Sequence, residues 1–294
     1  MKRRNILVSG MALAMPLFSA SVAAQSAGIA RIRAAGATTA AYGKDPRQQL
    51  DVYLPKGDCY AWVVMVHGGG WRQGDKAMAR TVDNKVARWT NRNIGVVSIN
   101  YRMLPEAPVE TQVEDVRSAI AFLQRKGSTL GLFGSMILMG HSAGGHLVAL
   151  VAAQIQTTQK AGIAPWVGTV ILDSGTLDVP ATMVRARLPL YKNAFGSDEK
   201  RWAMLSPMHQ LQPGVGPTMI VYSTTRTDDV GLQAQMYAQR LTGFGVSNVQ
   251  IAGVKLDHAQ VNDQLGLDNE YTRVVEGFMG SLHPSFEQSL NLKR

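Results

Sequence analysis

An α/β protein, with a mostly parallel sheet covered by helices on both faces, is what this sequence predicts, on three observations. Seven apolar stretches of strand length are separated by segments with helical spacing. The strand candidates are apolar almost throughout instead of alternating, so both of their faces need cover. Of 294 residues, 46% are hydrophobic and 17% charged, which gives enough apolar side chain for one sizeable core.

The chain opens on MKRRNILVSGMALAMPLFSASVAAQ. Lys2, Arg3 and Arg4, an apolar run, and the small residues Val22, Ala23 and Ala24 before Gln25 together predict a cleavable export signal over residues 1–24. RRNIL also resembles a twin-arginine signal. The apolar run is too short and too rich in Ala, Ser and Gly for a membrane span. The expectation is therefore an exported chain, periplasmic or extracellular, whose residues 25–294 form a single domain with no stable membrane insertion. Cys59 is the single cysteine, so no intrachain disulfide can staple the fold and packing must hold it. The net charge of +9 includes three cations of the signal and falls to +6 without them. No lysine or arginine block and no nucleic-acid motif accompanies that charge, so nucleic acid is not an expected partner.

In chain order, QQLDVYLP (48–55), AWVVMV (61–66), IGVVSINY (94–101), GSMILMG (134–140), VGTVILD (167–173), PTMIVYS (217–223) and VQIAGV (249–254) read as strands. Segments 76–92, 112–127, 143–156, 232–245 and 269–282 carry helical spacing. Residues 174–216 break the alternation with several prolines and glycines and no long strand, and are expected to form a small helical insertion above the sheet. Its Met183, Leu188, Leu190, Tyr191, Phe195 and Trp202 either line an apolar pocket or pack the insertion down. Sheets of this kind place ligands at the carboxyl ends of their strands.

Two glycine-rich turns fall at such ends. HGGGW (67–71) follows AWVVMV, where three glycines allow unusual dihedrals or a close approach to the backbone. GHSAGG (140–145) follows a strand and opens a helix, the context of a Gly-x-Ser-x-Gly nucleophile elbow. That reading makes Ser142 a nucleophile on a strained turn, with Gly140 and Gly144 leaving room for neighbouring backbone; the alternative is a plain helix N-cap. A serine hydroxyl needs a base, and the base an orienting acid. Of the six histidines, His258 follows the last strand in the loop KLDHAQVND and fits the base. His141 and His146 flank the nucleophile too closely, while His209 and His283 fall in or after helical segments. For the acid, STTRTDDV delivers Asp228, the expected acid, and Asp229, the alternative; whichever is not used can cap the next helix. Asp173, at the end of the strand after the elbow, is a third candidate, and Asp257 is too close in sequence to His258.

The segments QQLDVYLP, VMVHGGGWRQGDK, VVSINYRMLPEAP, EDVRSAIAFL, LMGHSAGGHLVAL and LDHAQVND, in this order over residues 48 to 265, resemble the α/β-hydrolase fold. The resemblance is to its esterase and lipase branch, related to hormone-sensitive lipase and to small feruloyl-esterase-like and formamidase-like enzymes. It implies a serine carboxylic-ester hydrolase working through an acyl-enzyme, without cofactor or metal, on a small-molecule ester. It also implies an oxyanion hole from the backbone N–H groups of Gly69, Gly70 and Ala143, with His67 bracing the glycine loop. Two departures stand out. The segment before QQLDVYLP is too short for a large N-terminal cap, which points to small acyl or aryl esters, and STTRTDDV lacks the commoner Gly-x-x-Asp form. Formamidase-like amide hydrolysis, peptide hydrolysis and a non-catalytic binding relative are the alternatives. GGGWRQGDK lacks the spacing of a phosphate loop, and His141 and His146 lack the His-Glu-x-x-His arrangement of a zinc site.

Overall fold

The computed structural model describes residues 36–185 and 189–292. The segment expected to be the export signal, and Leu188, lie outside the described residues. One eight-stranded sheet organises the rest, in the order β1-β2-β4-β3-β5-β6-β7-β8. The strands are β1 (Thr38–Ala41), β2 (Gln49–Tyr53), β3 (Cys59–Val66), β4 (Ile94–Ile99), β5 (Leu132–His141), β6 (Gly168–Leu172), β7 (Thr218–Ser223) and β8 (Val249–Val254). β2 runs antiparallel to both of its neighbours, and every pairing from β4 to β8 is parallel. All seven anticipated strands are present. β1 is the addition: TTAA has no apolar run, and as a largely exposed edge strand it needs none.

The apolar strands split their side chains between two cores, as the pleat requires. Val64, Val66, Val97, Ile99 and Leu138 face the helices α2 (Val109–Lys126), α3 (Ala143–Ala153) and α8 (Val230–Gly243). Val63, Met65, Val96, Ile137 and Met139 face α1 (Ala79–Trp89), α10 (Glu270–Leu282) and α11 (Pro284–Leu290). Between α3 and the insertion lies the short α4 (Ile155–Lys160). The described residues of 174–216 carry the expected helical insertion, with α5 (Val179–Arg185), α6 (Pro189–Phe195) and α7 (Glu199–Met204). Cys59 is buried and free, and burial pushes its thiol up to about 11, so it packs as an apolar side chain.

Register brings the site together. Val66, Gly140 and Ile171 are directly paired across β3, β5 and β6, and Ser223 pairs with Val254 across β7 and β8. The five loops that leave these strands therefore emerge along one edge.

Candidate active site

The elbow is built by close approach of backbone. Ser142 sits between β5 and α3 at φ 56° and ψ −121°, a conformation that L-residues rarely adopt. A Cβ on Gly144 would lie 2.2 Å from the Val66 carbonyl oxygen, and one on Gly140 2.3 Å from the Gly144 oxygen. The turn can thus form only with glycine at both positions. The Ser142 side chain does not cap α3. Its Oγ–H instead donates to His258 Nε2 at 2.9 Å, the pairing that the nucleophile reading needs and a plain cap does not.

His258 is not in a loop, as its sequence context implied, but is the first residue of α9 (His258–Asp263). Asp257 is the N-cap of that helix, in a capping box with Gln260, which accounts for a carboxylate beside the histidine that does not orient it. Three further contacts fix the helix. His141 Nε2–H donates to the His258 carbonyl at 2.8 Å, and the two rings lie 4.7 Å apart, tilted by 36°. Burial, together with the neighbouring imidazole of His258, pushes His141 down to about 3, so it stays neutral and acts as a strut. Asn262 Nδ2 donates to the Arg80 carbonyl at 2.7 Å.

Lys85 supplies the third contact. Its Nζ, fully buried, donates to the Asn262 backbone oxygen at 2.8 Å and to Oδ1 at 2.9 Å. Burial pushes this amine from 10.5 down to about 7, only partly offset by Asp263 and Asp83. Between pH 7 and 9 the unfolded chain holds a proton that the folded chain has released, so stability rises with pH through this window. Urea unfolding at pH 7 and pH 9 should show a smaller gain for Lys85→Met than for the wild type; equal gains would contradict this reading.

The acid expected at Asp228, or alternatively at Asp229, is corrected by the geometry. Asp173 Oδ2 accepts from His258 Nδ1–H at 2.5 Å. Asp173 directly follows β6, next to the strand that carries Ser142, at φ 49° and with no exposed surface. Its Oδ1 accepts from Ser223 N–H at 2.7 Å. Burial alone would raise its carboxyl group. The bond from His258, the charge of Arg226 and the Ser223 N–H outweigh burial and hold it below the usual carboxylate range.

Asp228 stands five residues past the end of β7 and is half exposed, beyond the reach of the imidazole. It forms a two-pronged ion pair with Arg226 Nε and Nη2. Asp229 pairs with Arg185 at 2.9 Å and accepts from Gln233, so it ties α8 to the insertion. Arg226 is the residue that sequence reasoning missed. Its Nη1 lies 2.9 Å from Asp173 Oδ2 and 3.0 Å from His258 Nδ1, placing a cation beside the acid and base. A single arginine between two carboxylates left no motif to find.

The glycine loop lies against the elbow. A Cβ on Gly68 would come within 2.9 Å of Ser142 Cβ, and one on Gly69, at φ 122°, within 2.0 Å of the Gln73 carbonyl oxygen. Gly69 O accepts from the N–H groups of Arg72 and Gln73, which closes the turn. Gly69, Gly70 and Ala143 line one cavity with Ser142 and His258. No bond from the Gly69 or Gly70 N–H to another backbone group occurs among the described residues. Ala143 N–H opens α3, where no intrahelical acceptor exists and the helix dipole favours negative charge. His67 braces the loop: Nδ1–H donates to Gly68 O at 2.7 Å, and the ring stacks on Tyr101 at 4.5 Å. Burial lowers its pKa, so the brace is neutral.

Trp71 and His146 clamp the insertion. Trp71 Nε1–H donates to His146 Nδ1 at 3.2 Å, and His146 Nε2–H donates to Leu205 O at 2.7 Å. Phe195 packs edge-on against both rings. Met183, Phe195 and Trp202 therefore hold the insertion down, while Leu190 and Tyr191 line the cavity. Among the described residues no cluster of three or more His, Cys, Asp or Glu could hold a metal ion, and no helix is long and apolar enough to cross a membrane.

A profile of the family described as BD-FAE matches residues 50–229, which include the glycine loop, the elbow and Asp173. The isoprenylcysteine alpha-carbonyl methylesterase of Arabidopsis thaliana is 34% identical over 124 residues, 41% of this chain and 28% of that protein. The matched stretch thus spans well under two thirds of that relative's length. A kynurenine formamidase of Salmo salar is 24% identical over 246 residues, 81% of this chain and 80% of its own. Among solved structures, esterase 2 of Thermogutta terrifontis superposes with a TM-score of 0.68 at 19% identity, covering 84% of this chain and 92% of that one. At that identity the likeness shows the shared α/β-hydrolase fold.

Proposed function

This chain belongs to the BD-FAE family, and from that premise we propose that it is a serine carboxylic-ester hydrolase acting on small acyl or aryl esters. The observation that carries the proposal is the unbroken line from Ser142 Oγ through His258 to Asp173, beside a glycine loop whose Gly69 and Gly70 N–H groups bond to no other backbone group among the described residues. In this reading His258 Nε2 takes the Ser142 proton as Oγ attacks the ester carbonyl carbon. The carbonyl oxygen becomes an oxyanion, met by the N–H groups of Gly69, Gly70 and Ala143 without rearrangement. One such donor is worth about 3 kcal/mol of barrier. As the tetrahedral intermediate collapses, imidazolium returns the proton to the departing alcohol. Water, deprotonated by the same imidazole, then attacks the acyl-enzyme and releases the acid.

From the insertion, Leu190 and Tyr191 line the cavity and give it apolar surface for an acyl or aryl group. p-Nitrophenyl acetate, butyrate and octanoate and a feruloyl ester, assayed beside an N-formyl anilide and a peptide anilide, test the reaction class. The expected result is fastest turnover of the acetyl, butyryl or feruloyl ester. Faster cleavage of the formyl anilide would favour the amide reading, to which the formamidase match over most of both chains lends weight. Export to the periplasm or beyond is part of the proposal, supported by Lys2, Arg3, Arg4 and the small residues before Gln25. N-terminal sequencing of the exported chain should begin at Gln25, and an uncleaved cytoplasmic chain would refute it.

A further inference from the structure

The described arginines of this chain mostly meet carboxylates. Arg47, Arg88, Arg102, Arg117, Arg185, Arg201, Arg226 and Arg273 each have one within ion-pair distance. The cavity in front of Ser142, about 1090 Å³, is lined by Arg72, Arg80 and Arg226 and by two carboxylates, Asp228 and Asp263. Arg226 is spent on Asp173 and Asp228. Arg80 reaches Asp263 only at 3.9 Å, with its side chain 57% exposed. Arg72 has no side-chain hydrogen bond or ion pair among the described residues, and of the arginines lacking a carboxylate it is the one that lines this cavity. Its backbone belongs to the glycine turn, two residues past Gly70, and the residue lines the same cavity as Ser142 and His258.

An unpaired guanidinium in a concave site presents a planar fork that matches a carboxylate. We propose that Arg72, with Arg80 as the second cation, makes this cavity selective for esters that carry a carboxylate beyond the scissile bond. The proposal rests on the esterase reading and specifies its substrate class. The carboxylate takes no part in bond making or breaking; it binds, so its effect is expected in KM more than in kcat.

A matched pair of aryl acetates tests it: 4-acetoxybenzoate and its neutral methyl ester, with release of the phenol followed chromatographically. In the wild type kcat/KM should favour the anion, and added sodium chloride should narrow that preference because both cations are exposed. Arg72→Gln should lower the anion-to-neutral ratio roughly tenfold, mostly through the KM of the anion. Arg72→Lys should recover part of it, and Arg80→Gln should lower it further in combination. A ratio that does not move in Arg72→Gln, or a wild type that prefers the neutral ester, overturns the proposal while leaving the esterase reading intact. Hydrolysis of neither ester would contradict the esterase reading itself.

Discussion

Ser142→Ala should lower kcat for a p-nitrophenyl ester by about six orders of magnitude, and His258→Ala by a similar amount, because the two act as one unit. The fold should not suffer. Ser142 Oγ caps no helix, and its hydrogen bond runs to His258 Nε2. The elbow itself is held by Gly140, Gly144 and the backbone bond from Ser142 N to Leu172 O, none of which the substitution touches. Thermal melts beside the kinetics separate lost chemistry from lost structure. Substantial turnover by a folded Ser142→Ala protein would contradict the assignment. Residual activity above buffer is expected, since the oxyanion donors and the cavity survive.

Asp173→Asn should cost about four orders of magnitude in kcat, because an amide in place of the acceptor favours the wrong imidazole tautomer. Asparagine tolerates the left-handed backbone at φ 49° and can still accept from Ser223 N–H, so the variant should fold. Asp228→Asn should cost far less, about tenfold, and for a different reason. It leaves the Arg226 cation without its exposed partner, 2.9 Å from Asp173 Oδ2 and 3.0 Å from His258 Nδ1, where it disfavours the imidazolium formed during attack. Arg226→Met introduced into Asp228→Asn should therefore restore activity. Were Asp228 the acid, its loss would be the larger one and the second substitution would restore nothing. The kcat values of the four variants, Asp173→Asn, Asp228→Asn, Arg226→Met and the double, decide between the two.

The sheet and the elbow were legible because both follow from strong local rules. Buried parallel strands are apolar on both faces, and a serine between two glycines at a strand-to-helix turn has few other uses. Strand β1 was not legible, since TTAA at an exposed edge carries no apolar pattern. Nor was α11, where His283 caps a short helix opened by Pro284. The histidine was found by its place after the last strand, although α9 begins on it. The acid was not legible, since the sequence offers aspartates after both β6 and β7 and only the fold shows that Asp173 meets His258. The length of the connection decides between them. Asp173 leaves its strand at once, beside Ser142, whereas STTRT carries Asp228 outward to an arginine. The struts His141, His146 and Lys85 have no sequence signature, for their partners are carbonyl oxygens that topology brings near.

The claim that Ser142 is a nucleophile activated by His258 and Asp173 is tested most directly by covalent capture. The protein is treated with a stoichiometric aryl alkylphosphonate, and its intact mass and peptide map are recorded. One phosphonyl group per chain is expected, on the peptide that contains Ser142, formed slowly in Asp173→Asn and not at all in Ser142→Ala. A wild-type chain that takes up no phosphonyl group, or takes it up at another residue, would contradict the account.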